Sequence, residues 1–152
     1  MAQKILFVCT GNTCRSSMAE VIARQVLAGQ GREKEIEISS AGLAAWPGAP
    51  ASIGAVAVMQ EIGLDLSKHQ AKLLTREMIK KAGLILTMTR THRVQVCEMA
   101  PEAAKKTFTL VAYAKSKDED EDIIDPMGYS INVYRNCAAV LEDLITLVFK
   151  KL

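Results

Sequence analysis

Apolar residues along this chain fall into short unbroken runs, separated by stretches in which they recur every three or four positions. Ile5-Leu-Phe-Val8 is one such run, and its length and its branched and aromatic side chains mark residues 4–9 as a buried strand. The spacing then changes. Met18, Ala19, Ile22, Ala23, Val26 and Leu27 share one helical face, which predicts a helix over 16–28. The alternation repeats: a second strand over 36–42 ending in small side chains, a helix over 51–62 stopped by Gly63, a short helix over 75–81 capped by Thr75, and a third strand over 83–88. Residues 90–100 read as helical and 107–112 as a fourth strand. A long helix over 129–150 carries Val133, Cys137, Val140, Leu141, Leu144, Ile145 and Val148 as its stripe. Strands alternating with helices imply parallel βαβ units. The expected fold is therefore α/β, a single doubly wound domain over 1–152 with a four-stranded parallel sheet flanked by helices.

Composition narrows the function classes. A chain of 152 residues fits one domain and can bury a core, and 49% hydrophobic content excludes global disorder. No apolar run is long enough to span a bilayer, so no membrane association is expected. Strand pattern begins within four residues of Met1, so no signal peptide is expected and a cytoplasmic location is. The four cysteines then read as reduced thiols, and Cys9 and Cys14 lack the paired spacing of a zinc site. Neither metal nor cofactor is expected. A net charge of +2 with 5% aromatic residues carries no nucleic-acid signature.

The chemistry concentrates in Cys9-Thr-Gly-Asn-Thr-Cys-Arg-Ser-Ser17, between the first strand and the first helix. In a doubly wound sheet, ligands sit beyond the carboxyl ends of strands, where this loop falls. Backbone N–H groups of a tight loop at a helix N-terminus hold an anion. Arg15 adds a planar fork suited to phosphate oxygens, and the same positive field favours the thiolate of Cys9 as a nucleophile. The loop is thus expected both to bind a phosphoryl group and to attack it.

At this point the chain resembles the low-molecular-weight protein tyrosine phosphatases. The matching residues are Cys9 to Glu20, Ser39-Ser-Ala-Gly42, the segment from Gly63 to Lys72, Leu84-Ile-Leu-Thr-Met88, and Asp125-Pro126. The resemblance covers essentially the whole chain. Within the family it looks most like the bacterial protein-arginine phosphatase branch, through Thr13 in the loop, Asp122-Ile-Ile-Asp-Pro-Met-Gly128 and Ser130-Ile-Asn-Val-Tyr134. Tyrosine phosphatases of the family usually carry a bulkier aliphatic residue at the Thr13 position and a tyrosine pair where this chain has Met127 and Gly128.

The resemblance implies a cysteine-dependent phosphatase of phosphorylated proteins, working through a phosphocysteine. Cys9 is the implied nucleophile, Arg15 the clamp on the equatorial oxygens, and Asp125 the general acid and then base. Thr10, Gly11, Asn12, Thr13, Cys14 and Ser16 would form the phosphate site. Ser16 would donate to the Cys9 sulfur and also cap the helix. Asn12, which tolerates a left-handed backbone, would fix the loop shape, and Gly11 would supply conformations closed to other residues. Trp46 and Tyr129 are candidate walls for the substrate side chain. Asp122 is a weaker candidate for the acid and reads more readily, with the acidic run from Asp118, as part of a solvated loop, and His69 and His92 read as exposed or structural. The substrate expected first is protein phosphoarginine. Phosphotyrosine is the alternative. Arsenate reduction is disfavoured because Cys97 stands alone near the third strand.

Overall fold

The computed structural model describes residues 3–116 and 122–152. A four-stranded, all-parallel sheet has the order β2-β1-β3-β4, with β1 Gln3–Cys9, β2 Ile36–Gly42, β3 Leu84–Thr87 and β4 Thr107–Thr109. From Ile5 onward, side chains of β1 are buried on both faces. Ile5, Phe7 and Cys9 join the cluster under α1 (Arg15–Gly29) and α6 (Ile131–Lys151). Leu6 and Val8 join the one under α3 (Arg76–Lys81) and α4 (Arg90–Met99). Helices on both faces explain why the strands read as continuous apolar runs rather than as alternation. Helices α2 (Ile53–Glu61) and α5 (Leu110–Lys115) complete the set, with a 3-10 turn at Pro101–Lys106.

Connections leave β1 for β2 on one side and reach β3 on the other, so Cys9 ends the strand at which the winding reverses. It pairs in register with Gly42. A Cβ at Gly42 would lie 2.5 Å from the Thr10 carbonyl oxygen and 2.9 Å from the Asn12 nitrogen. Glycine there lets β2 end directly against the loop after β1.

Three expectations are corrected. The fourth strand stops at Thr109, not Ala112, because the Thr109 hydroxyl accepts from Ala112 N at 3.1 Å and caps α5. The last helix begins at Ile131, not Tyr129, since Gly128 turns the chain with φ +81° and Ser130 is extended. Ser16 does not cap α1. The N-cap is Cys14, with no side-chain capping bond, and Ser16 lies within the helix with its hydroxyl turned to Cys9.

Candidate active site

Residues 9–15 wrap the N-terminus of α1, which is 15 residues long and so carries a full helix dipole. Cys9 Sγ is buried and lies 2.8 Å from Ser16 Oγ and 3.3 Å from the backbone N–H of Asn12, which donates to it. Asn12 is the hub of the loop. Its φ of 58° is left-handed, as asparagine tolerates, and it is wholly buried. Gly11, by contrast, is outside the left-handed region, and a Cβ there would meet only Thr13 Oγ1 at an ordinary 3.5 Å. The shape of the turn therefore belongs to Asn12, and the expectation for Gly11 is corrected.

Hydrogen-bond direction around Asn12 follows from its fixed partners. The backbone N–H of Lys72 can only donate, so the Asn12 atom facing it at 3.0 Å is the amide oxygen. The amide nitrogen then donates to Ser16 Oγ at 2.8 Å and to Ser40 Oγ at 2.9 Å. Ser40 passes its own proton to Glu20 at 2.5 Å, and Glu20 is held by Arg24 at 2.7 Å. Ser16 already accepts from Asn12, so its proton is free for Cys9. Two donors are thus aimed at the sulfur, the Ser16 hydroxyl and the Asn12 N–H, an arrangement that matches a thiolate acceptor, while the branch from Asn12 through Ser40 to Glu20 runs the other way and holds the Asn12 amide in place.

Arg15 is also buried. Its Nη1 donates to the Ile123 carbonyl at 3.0 Å, and its Nη2 lies 3.6 Å from Asp125 Oδ2. Its Nε is a buried donor without a partner among the described residues. Buried donors are nearly always paired, so an orphan beside a ring of loop amides is a place for an anion. Asp125 is half-exposed, and its Oδ1 accepts from Met127 N at 3.1 Å. The Asp-Pro turn thus delivers a carboxylate to the guanidinium at the loop.

Both histidines touch this loop, which their polar sequence surroundings did not reveal. His69 Nε2 donates to the Asn12 carbonyl at 2.6 Å. His92 is buried, with Nε2 2.8 Å from Thr10 Oγ1 and Nδ1 without a partner among the described residues. Burial first, then the Arg15 guanidinium, push His92 down to about 4, so it is neutral near pH 7. Cys14 Sγ faces Ser52 Oγ at 3.1 Å and the Tyr134 hydroxyl at 3.6 Å, which joins the loop to α2 and α6. The Thr13 carbonyl accepts from Ser52 N at 2.9 Å.

Trp46 and Tyr129 stand exposed, at 82% and 65%. Trp46 lies just past Ala44, whose N–H is accepted by the Thr10 carbonyl at 2.9 Å. Asp122 is not a freely solvated charge, because its Oδ1 accepts from Arg90 N at 2.9 Å. The rest of the acidic run, 118–121, lies outside the described residues. Burial pushes the Cys137 thiol up to about 12 and leaves it protonated. No group of three metal-ligating side chains occurs among the described residues.

The sequence model for low molecular weight phosphotyrosine protein phosphatases matches residues 4–152. The chain belongs to this family. A protein-arginine-phosphatase of Geobacillus stearothermophilus is 41% identical over 153 residues, covering 100% of this chain and 97% of that protein. A low molecular weight protein tyrosine phosphatase from T. tengcongensis superposes with a TM-score of 0.91 at 40% identity, covering 99% of this chain and 100% of that one. A variant of the YwlE arginine phosphatase, with a phosphorylated active site serine, superposes with a TM-score of 0.92 at 34% identity, covering 99% and 95% of the two chains. Among the described residues, no helix of this family member is long and apolar enough to cross a membrane.

Proposed function

We propose that this phosphatase hydrolyses phosphoarginine in proteins through a phosphocysteine on Cys9. The pair of donors on the Cys9 sulfur, the Asn12 N–H and the Ser16 hydroxyl that the Asn12 amide orients, is the observation that carries the reading, because binding an anion alone requires no thiolate. The Cys9 sulfur attacks phosphorus. Loop amides other than that of Asn12 and the guanidinium of Arg15, with its spare Nε donor, hold the three equatorial oxygens as charge spreads over them. Asp125 protonates the departing nitrogen, then takes a proton from the water that releases phosphate from sulfur. Cys9 leaves as the thiolate that Ser16 and the Asn12 N–H stabilise.

Two observations favour a guanidinium guest. The relative that covers all of this chain at 41% identity is named for arginine phosphatase activity, as is the variant with a phosphorylated serine. Thr13 puts a half-buried hydroxyl on the loop that follows Cys9, where an aliphatic residue would add apolar surface. The second reading, a phosphotyrosine phosphatase, draws on the T. tengcongensis neighbour and on the two exposed aromatics Trp46 and Tyr129.

Steady-state kcat/KM on phosphoarginine and phosphotyrosine peptides separates the readings. A lost hydrogen bond to a charged group costs about 1.5–3 kcal/mol, or roughly tenfold or more in rate. Thr13→Ile is expected to lower activity on phosphoarginine by that factor and to raise it on phosphotyrosine. A wild-type enzyme that prefers phosphotyrosine, or a ratio unmoved by Thr13→Ile, replaces the first reading by the second.

A further inference from the structure

The first turn of α4 touches both loops that the proposed chemistry uses. On one side His92 Nε2 meets Thr10 Oγ1 at 2.8 Å, next to the nucleophile. On the other, Asp122 Oδ1 accepts the backbone N–H of Arg90, the first residue of the helix, at 2.9 Å. Thr89 caps the same turn by accepting from His92 N at 3.1 Å, so the helix end is itself fixed. The segment that follows Asp122 is pinned just as closely. Ile123 N donates to the Met88 carbonyl at 2.9 Å, the Ile123 carbonyl accepts from Arg15 Nη1 at 3.0 Å, and the Ile123 side chain is 4% exposed. Only two residues separate Asp122 from Asp125, which is itself half-exposed and held by one backbone bond and the long contact to Arg15.

We propose that Asp122 is a positioning residue for Asp125: its carboxylate latches the acid loop onto the N-terminus of α4, the helix end that also holds the phosphate loop through His92. A carboxylate suits this place because the first N–H groups of a helix have no internal partner and carry its positive end. The 3.8 Å contact from Arg90 Nε adds little, since both side chains are exposed. Asp122 touches no part of the loop that would hold phosphate. It acts through Asp125, and the inference rests on the reading of Asp125 as the acid.

That indirect role has a kinetic signature. Phenyl phosphate has a poor leaving group that must be protonated, whereas p-nitrophenyl phosphate has a good one that needs little help. Asp122→Ala is expected to slow the first release of phenol from phenyl phosphate about tenfold, the cost of one charge-assisted hydrogen bond. The first release of p-nitrophenol from p-nitrophenyl phosphate stays within about twofold by the same reasoning, because it precedes the hydrolysis that Asp125 serves as base. Asp122→Asn keeps an oxygen to accept from Arg90 and should restore most of the loss. In an Asp125→Asn background, Asp122→Ala should do nothing further. Equal losses on both substrates, or an added loss in that background, overturn the positioning role, as does a silent Asp122→Ala beside a strong Asp125→Asn effect. If Asp125→Asn itself spares both substrates, the acid assignment has failed instead, and the latch with it.

Discussion

Changing Asn12 to Asp replaces one nitrogen by one oxygen and leaves the volume almost unchanged, yet it should reverse the loop's polarity. Asn12 gives two hydrogen bonds, to Ser16 and Ser40, and receives one from Lys72 N. An aspartate can still receive from Lys72 but cannot give the other two. Ser16 would then turn its proton toward residue 12 and away from the Cys9 sulfur. Two lost neutral hydrogen bonds amount to about 2 kcal/mol. The new charge adds to this. Ser16 Oγ lies 2.8 Å from both the Asn12 amide and the Cys9 sulfur, so the two anions would lie within about 6 Å. At an effective dielectric of about 20 that repulsion is ~3 kcal/mol. Position 12 is wholly buried, so solvent relieves little of it. If about half of the combined cost falls on the reacting thiolate, kcat/KM drops roughly 10²-fold. The assay is turnover of p-nitrophenyl phosphate, whose leaving group needs no acid, with the rate of Cys9 alkylation by iodoacetate read in parallel. Both should fall together in Asn12→Asp, while Ser16→Ala gives a smaller fall in both. Activity within about threefold of wild type in Asn12→Asp would falsify the directed donor chain.

Asp125→Asn should slow the first release of the leaving group from phosphoarginine and phenyl phosphate by about 10²–10⁴-fold and from p-nitrophenyl phosphate far less, as measured by rapid mixing across leaving groups of different basicity; equal effects on that first step would assign the acid elsewhere. His92 contributes a pH dependence to stability. Its folded value lies near 4 and its ordinary value is 6.5, so between these the unfolded chain binds more protons. Stability should therefore fall as pH drops from about 6.5 to about 4, and His92→Gln, whose amide can either give or accept a bond with Thr10, should flatten that slope in Tm measured against pH.

The loop was readable because its parts are contiguous. A strand signal, Cys9, Asn12, Arg15 and a helix signal follow one another within 20 residues, and the left-handed turn at Asn12 follows from the residue type itself. The parallel sheet was readable from the same alternation of spacings. What stayed hidden depends on partners far away in sequence. His92 meets Thr10 across 82 positions and His69 meets Asn12 across 57, and nothing in their polar neighbourhoods marks them. Asp122 looked like one more charge in an acidic run until α4 placed an open N–H against it. Ser40 and Glu20 belonged to segments that carried the family resemblance, but their roles as the acceptors that anchor the Asn12 amide needed the fold. The break between β4 and α5 was lost because Leu110, Val111 and Ala112 continue an apolar run, and only the Thr109 hydroxyl ends it.

The central claim is that a phosphoryl group passes from arginine to the sulfur of Cys9. Rapid mixing of the enzyme with a phosphoarginine-bearing protein, stopped in denaturing alkali where phosphocysteine and phosphoarginine both survive, allows the enzyme's peptides to be read by mass spectrometry. The account predicts a phosphoryl group on the peptide containing Cys9, formed within one turnover, decaying as phosphate appears, and absent in Cys9→Ser once serine-bound phosphate is scored separately. Turnover of phosphoarginine with the label on His69 or His92, or with no phosphoryl-enzyme at any time before steady state, would contradict it.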